Sequence, residues 1–259
     1  MSRPSHRASQ GRVVKIGGFE IFNGPCQSCP IVVQPWIKQF CSHPLNSWYV
    51  EVDLEYAKDW FNHYGLKECI DRFDEALELI SDQHSEKWTE YDVKTITEIQ
   101  QQAIRLYGML HARYILQRDG LAQMKEKYEK GVFGHCPRFS CNDQKLLPFG
   151  ETVQPNHHSA KLYCPQCCDI YRPPDTNLID GAHFGPAFPH VFLIEYPKFN
   201  TAEKFTPYQP KIFGYNVFER TDKGLFYAHS TNKFEPSDST SDSDGHENER
   251  KESLTYDGI

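Results

Sequence analysis

The side chains with the plainest chemistry are cysteines. Cys136 and Cys141 form a C-x4-C pair, Cys164 and Cys167 a C-x2-C pair, and twenty-two residues separate the two. Two short knuckles that each deliver two thiolates can close a tetrahedron on one metal ion at ~2.3 Å from each sulfur. This is the spacing of a zinc ribbon. Pro137 and Pro165 each follow a ligand cysteine and stiffen its knuckle by holding φ. Four sulfur ligands leave no open coordination position, so the expected Zn2+ is structural and not catalytic. A small loop-rich module needs such a cross-link to fold. Cys168 is a spare that cannot easily share the tetrahedron. Cys26 and Cys29 make a second C-x-x-C, half a metal site or a redox pair, with no convincing partner pair nearby. Cys41 and Cys69 read as ordinary small buried residues.

Other chemistry is sparse. There is no phosphate-cradling glycine loop, no H-E-x-x-H and no G-x-S-x-G. His157, His158 and His183 lie among loops where they could be ligands, although a lone histidine is more often a hydrogen-bonded surface or core residue. Nothing specifies a nucleophile, a base and an orienting group together. The chain reads as a partner to something, not as an enzyme.

The elements that must position these residues follow from composition and periodicity. The 259 residues carry 28 Lys+Arg against 35 Asp+Glu, a net charge of −7, and 14% are aromatic. That is too aromatic for a fully disordered chain and lacks the broad basic face of a nucleic-acid binder. No run of eighteen apolar residues occurs, so no membrane span is expected. Nine cysteines, with no apolar secretory stretch behind Arg3, Arg7 and Arg12, point to a reducing compartment.

The expected fold is α+β: an all-helical N-terminal domain, a zinc-ribbon β domain and an extended C-terminal arm. Residues 1–34 read as a flexible basic arm and 35–131 as the helical domain. Asp53 is a plausible N-cap for a helix through Phe61, with Gly65 as its C′ glycine. Further helices are expected over Lys67–Ile80, Thr95–Leu116 and Leu121–Glu129, each with an apolar face at three- and four-residue steps. At Gly131 the periodicity stops, and 132–190 read as the ribbon. Residues 191–234, rich in aromatic and β-branched types, read as strands and extended arm, and the Ser/Asp-rich 235–259 as a disordered acidic tail. Residues 51–100 hold fourteen Asp+Glu against five Lys+Arg, either solvated helix faces or a surface that attracts basic partners.

Several motifs carry a family resemblance. They are Tyr49-Val50-Glu51-Val52-Asp53, the run from Leu106 to Leu116, and Gly134-His135-Cys136-Pro137-Arg138. Lys161-Leu162-Tyr163-Cys164-Pro165-Gln166-Cys167 and Asp180-Gly181-Ala182-His183-Phe184-Gly185 complete the set. Together they resemble the regulatory (beta) subunits of casein kinase II, from about Trp36 to Phe218. The resemblance implies a non-catalytic protein that binds Zn2+ and forms a homodimer through the ribbon. Such a dimer carries two catalytic subunits of a Ser/Thr kinase in a heterotetramer and modulates their stability, activity and choice of protein substrates. It also implies residence in cytoplasm and nucleus, with no specific nucleic acid and no membrane as partner. Tyr163, Tyr171 and Phe184, packed around the metal, would supply either interface area or the ribbon's own small core.

The family's kinase-docking hairpin corresponds to Lys211–Phe218. Phe213, Tyr215 and Val217 alternate there and would share one face of a strand, with the family's usual order of tyrosine and phenylalanine reversed. Three further features depart from the family. The serine-acid cluster at the start is missing. The acidic loop at about Ser81–Asp92 is diluted by His84 and Lys87, which puts polyamine gating in doubt. The tail places Asp242 three residues after Ser239 and Asp244 three after Ser241, so that a kinase reading acid at that offset would phosphorylate both serines. The alternatives are a zinc-ribbon nucleic-acid-binding or transcription-related protein, which the acidity opposes, and a thiol oxidoreductase using Cys26 and Cys29.

Overall fold

The computed structural model describes residues 34–173 and 179–216, together with the backbones of Arg12–Ile16, Phe19–Asn23, Glu219–Arg220 and Phe226–Tyr227. Cys26, Cys29, Val217, Ser239 and Ser241 lie outside the described residues. The chain divides into two compact units, Met1–Pro207 and Tyr208–Ile259. Helices and a small antiparallel sheet make the fold α+β.

In the first unit, strands β1 (Arg12–Ile16) and β2 (Phe19–Asn23) pair as an antiparallel hairpin. Regular pairing inside the segment read as an arm without periodicity is a correction.

Helix α1 spans Trp36–Ser42 and α2 Leu54–Lys58. Asp53 caps α2 as expected, its carboxylate accepting from the backbone N–H groups of Glu55 and Tyr56. The helix stops three residues short of Phe61, because Asp59 turns extended and caps a new 3-10 turn, Trp60–His63. Gly65, at φ +70°, reverses the chain after it. Helix α3 covers only Phe73–Ile80. The expected start at Lys67 fails at Arg72, whose φ of 53° is left-handed and cannot continue a helix.

Helix α4, Val93–Tyr114, is the central element. Asp92 caps it by accepting from Thr95 N–H at 2.9 Å. Its buried face, Ile96, Ile99, Ala103, Leu106, Leu110 and Tyr114, is the one its periodicity predicts. Helix α5, Arg118–Glu129, follows, and Gly131 at φ +72° terminates it.

Strands β3 (Leu147–Phe149), β4 (Lys161–Tyr163) and β5 (Ile170–Tyr171) then form an antiparallel sheet in that order. Leu147 opposes Tyr163 and Leu162 opposes Tyr171. One continuous buried cluster runs from Trp36 through the long helix to Leu162, Cys164 and Phe192.

The segment from Val191, read as strand and arm, begins inside helix α6, Phe188–Glu195. Tertiary packing overrides β propensity here. Phe192 is buried against the rings of Phe188, Tyr128, Tyr196 and Phe199 at 5.1–5.8 Å. Pro189 falls in the first turn of the helix, where its missing N–H costs no hydrogen bond, and Phe188 and Phe192, four residues apart, share one face.

The second unit contains two small antiparallel ribbons. Strand β6 (Lys211–Ile212) pairs with β7 (Tyr215–Asn216), and β8 (Glu219–Arg220) with β9 (Phe226–Tyr227).

Candidate metal centre

The four sulfurs of Cys136, Cys141, Cys164 and Cys167 all lie within 4.8 Å of one another. Cys136 Sγ is 3.9 Å from Cys167 Sγ, and Cys164 Sγ is 4.0 Å from Cys141 Sγ. A disulfide would need ~2.05 Å. A tetrahedron of sulfurs ~2.3 Å from a central metal has edges of about 3.8 Å. The donor set therefore fits a four-coordinate metal ion, and the protein supplies all four ligands.

Local structure explains how each knuckle forms. Cys136 N–H donates to Gln144 O at 2.7 Å, which closes a loop around the first pair. Within it, Phe139–Cys141 make a 3-10 turn, and Asn142 and Asp143 take the left-handed conformation that brings the chain back. The second knuckle leaves β4 at Cys164 and returns into β5, with Cys164 N–H bonded to Asp169 O and Cys168 N–H to Cys164 O. Cys168 sits at φ 58°, is exposed and is not one of the four clustered sulfurs.

Burial pushes the Cys141 thiol up to about 12. Burial also raises Cys164, partly opposed by the backbone N–H groups of Cys167 and Gln166 that point at its sulfur. Cys167 is held below the usual thiol range. Burial, the largest influence, would raise it, but hydrogen bonds from the Tyr171 hydroxyl, the Asp169 amide and the Cys164 and Cys141 thiols together outweigh that. The Tyr171 hydroxyl lies 3.2 Å from Cys167 Sγ and is placed to donate to a metal-bound thiolate, as an outer-shell group does. Arg138, between the first two cysteines, pairs with Asp169 beside the second two and so ties the knuckles together.

The ribbon is fastened to the helices by polar contacts. Gln144 Nε2 donates to the Tyr128 hydroxyl of α5 at 2.8 Å, and Thr201 Oγ1 bonds Gln144 Oε1 at 3.1 Å. Tyr163 lies beside the cluster as expected, its ring 5.9 Å from that of His190 and tilted against it. Phe184 does not. It is buried against Tyr49, Trp48 and His111, 5.3–6.1 Å away, in the helical core.

A buried polar spine links the same elements. The Tyr107 hydroxyl donates to Val50 O at 2.7 Å and accepts from Val52 N–H at 3.1 Å. His111 Nε2 accepts from Val50 N–H at 3.2 Å, and its Nδ1 donates to His183 O at 2.8 Å. The segment Tyr49–Val52 thus satisfies its backbone from side chains of α4 instead of a β ladder. His183, considered as a ligand, is a buried core residue bonded to Tyr49, while His157 and His158 are exposed. The signal available in sequence was the pairing of Tyr107 and His111 one turn apart on an apolar helix face.

The family model for the casein kinase II regulatory subunit matches residues 35–216. The chain belongs to that family. Casein kinase II subunit beta of Schizosaccharomyces pombe is 40% identical over 186 residues, covering 71% of this chain and 79% of the relative. Putative casein kinase II subunit beta-4 of Arabidopsis thaliana is 40% identical over 187 residues, 71% of this chain and 66% of the relative. Casein kinase II subunit beta of Dictyostelium discoideum is 38% identical over 189 residues, 70% and 68%. The family is one of regulatory, non-catalytic subunits, and the four-cysteine cluster able to hold a metal lies within the matched span.

The segment Lys211–Asn216 takes a different shape from the one alternation predicts. Phe213 and Gly214 occupy the two-residue turn between β6 and β7, with φ of 50° and 86°. Positive φ at both central positions is the type I′ hairpin geometry. Phe213 therefore stands at the tip, 96% exposed, and does not share a strand face with Tyr215. The acidic loop is also altered. Trp88 is buried in it, with Nε1 donating to Glu78 at 2.7 Å, and Asp82 is engaged with Trp36 N–H. Cys69, read as buried, is exposed. Among the described residues, no helix is long and apolar enough to cross a membrane.

Proposed function

We propose that this chain is the regulatory subunit of a casein kinase II-type Ser/Thr kinase, with Zn2+ in the Cys136, Cys141, Cys164 and Cys167 site. It dimerises through the ribbon and presents Phe213, Tyr215 and Val217 to a catalytic subunit, so that two catalytic subunits ride on one dimer. In that assembly it stabilises the kinase and tunes its choice of protein substrates in cytoplasm and nucleus.

The observation that carries this reading is the four-sulfur cluster inside a chain of this family. When bound, the metal cross-links two knuckles that have little core of their own. Dimerisation through the ribbon is supported by apolar groups left uncovered on it. Phe139 is 97% exposed beside the first knuckle, and Ile170 is exposed on the edge strand β5. Kinase docking is supported by the exposed Phe213 and Tyr215, aromatic anchors of the kind that dominate interface energetics. Ser239 and Ser241 are proposed acceptors for the assembled kinase.

Co-expression of the full chain with a casein kinase II catalytic subunit tests the reading. The expected product is a complex with two copies of each chain and one zinc per copy of this one, whose tail serines gain phosphate with ATP. A zinc-free, monomeric chain that does not retain the kinase would refute it.

A further inference from the structure

The loop after α2 exposes three large aromatic side chains together. Trp60, Phe61 and Tyr64 are 79%, 72% and 87% exposed. The Trp60 and Phe61 rings stand 6.1 Å apart and nearly perpendicular, with an interplanar angle of 84°. Adjacent exposed aromatics of this size mark interaction sites more often than chance.

The loop that carries them is rigidly built. Asp59 accepts from Phe61 N–H at 3.0 Å, and Asn62 Nδ2 donates to Tyr56 O at 3.0 Å. His63 turns inward, its Nε2 2.7 Å from Ala57 O and its ring against Phe73. From below, Arg113 of α4 donates to Asn62 O at 2.6 Å and to Tyr64 O at 2.7 Å. The inward residues pin the backbone while the aromatic ones are held out, so a partner would meet anchors that lose little freedom on binding.

The charge around the loop selects among partners. Residues 51–75 contain eight Asp+Glu against three Lys+Arg. Two of those cations are paired, Lys67 with Asp74 and Arg72 with Glu75. Arg113 is engaged by the loop carbonyls. The negative charges of Asp53, Asp59 and Asp119 gather at the Tyr56–Tyr114 ring pair beside the loop. Anionic lipid and nucleic acid are repelled by such a field, and so is a second copy of an acidic chain. A cationic segment is attracted, and its Arg or Lys groups can lie on the aromatic faces as well as beside the carboxylates.

We propose that Trp60, Phe61 and Tyr64 form a docking surface for a partner protein, through a segment in which Arg or Lys alternates with apolar side chains. The surface is built by the turn that follows α2 and shares no residue with the four-cysteine cluster.

Trp60 is the one exposed tryptophan of the four, since Trp36 and Trp88 are buried and Trp48 is packed against Phe133 and Phe184. Acrylamide quenching of tryptophan fluorescence in the zinc-loaded full chain therefore reports on it. The probes are a synthetic Arg/Leu alternating peptide, an Arg/Ser peptide and a Glu/Leu peptide of equal length, and phosphatidylserine vesicles. The Arg/Leu peptide is expected to shield Trp60. The Arg/Ser peptide should bind more weakly and lose affinity faster with salt. Trp60→Ala or Tyr64→Ala, read by anisotropy of labelled peptide, should weaken binding about tenfold. Glu55→Lys should weaken it and flatten its salt dependence.

Several results would overturn the proposal. They are wild-type affinity in the Trp60→Ala/Tyr64→Ala double variant, equal binding of the Glu/Leu peptide, or shielding by vesicles but not by the Arg/Leu peptide. Trp60 already protected in the free chain, whether independently of concentration or only at high concentration, would place the chain's own segment or a second copy there instead.

Discussion

Tyr49 and His183, 134 residues apart, share a 2.6 Å hydrogen bond between the tyrosine hydroxyl and His183 Nδ1 in the buried interior. The bond joins the segment ahead of α2 to the turn that follows the ribbon sheet. His183 O in turn accepts from His111 of α4, so three distant stretches close on one another. Burying these groups is tolerable only because each has a partner.

Removing the hydroxyl should therefore cost more than a surface change. Tyr49→Phe leaves His183 Nδ1 without its partner and is expected to destabilise the full chain by about 1–3 kcal/mol. Urea denaturation checks this. A midpoint unchanged from wild type would show the bond to be energetically idle.

The same histidines predict a pH dependence. Burial pushes His111 down to about 3 and His183 down to about 4. Below about pH 6.5 the unfolded chain takes up protons that the folded chain refuses. Their contribution is thus fully present above about pH 6.5 and is lost as pH falls toward 4, by several kcal/mol in order of magnitude. His111 gives the reason in geometry: protonation would turn Nε2, which accepts from Val50 N–H, into a donor facing a donor. Urea midpoints across this range, with zinc content followed in parallel, provide the test. A loss that tracks metal release alone would contradict it.

Gly108 should resist substitution although it lies mid-helix. A Cβ there would fall 2.2 Å from the His183 ring. Helix propensity favours alanine by about 1 kcal/mol, but overpacking a rigid core costs roughly 1–3 kcal/mol or more. We expect Gly108→Ala to lower the thermal midpoint. A rise would mean that the His183 ring moves aside freely.

At the metal centre, two substitutions should differ in degree. Cys164→Ser removes a ligand and is expected to abolish tight Zn2+ binding. Tyr171→Phe keeps all four ligands but removes the hydroxyl 3.2 Å from Cys167 Sγ. It should weaken Zn2+ about 10–100-fold while leaving the stoichiometry at one. Competition with a coloured chelator separates the two. Equal affinities for Tyr171→Phe and wild type would remove the hydroxyl from the site.

Phe213 separates turn geometry from recognition. Asparagine suits a left-handed turn position better than phenylalanine. Phe213→Asn should keep the β6–β7 pairing, seen by backbone chemical shifts, yet weaken binding to the catalytic subunit by tenfold or more. Calorimetry showing wild-type affinity would remove Phe213 from the docking set.

Much of the site was legible in the chain's letters because it depends on local spacing. Two knuckles with the right separation need only short reversals to converge, and left-handed Asn142 and Asp143 and the turn at Cys168 supply them. The face of α4 was legible for a similar reason, since its period of 3.6 decides which residues meet the core. What failed were endings set by single backbone conformations: Arg72 ending a helix early, Asp59 splitting one in two, and Phe213 turning where a strand was expected.

By itself, then, the sequence determined the family, the four-cysteine set, the capping of α2 by Asp53 and the long central helix, all matters of neighbours within a few turns of chain. Only the tertiary structure decided that His183 is a core group and not a ligand, that Phe184 packs among the helices, that Phe188–Glu195 is helical, and that Trp60, Phe61 and Tyr64 face outward together. Each of these depends on which distant residue fills the space alongside. A polar or aromatic side chain has the same local preferences in either place, and burial against a particular partner chooses between them.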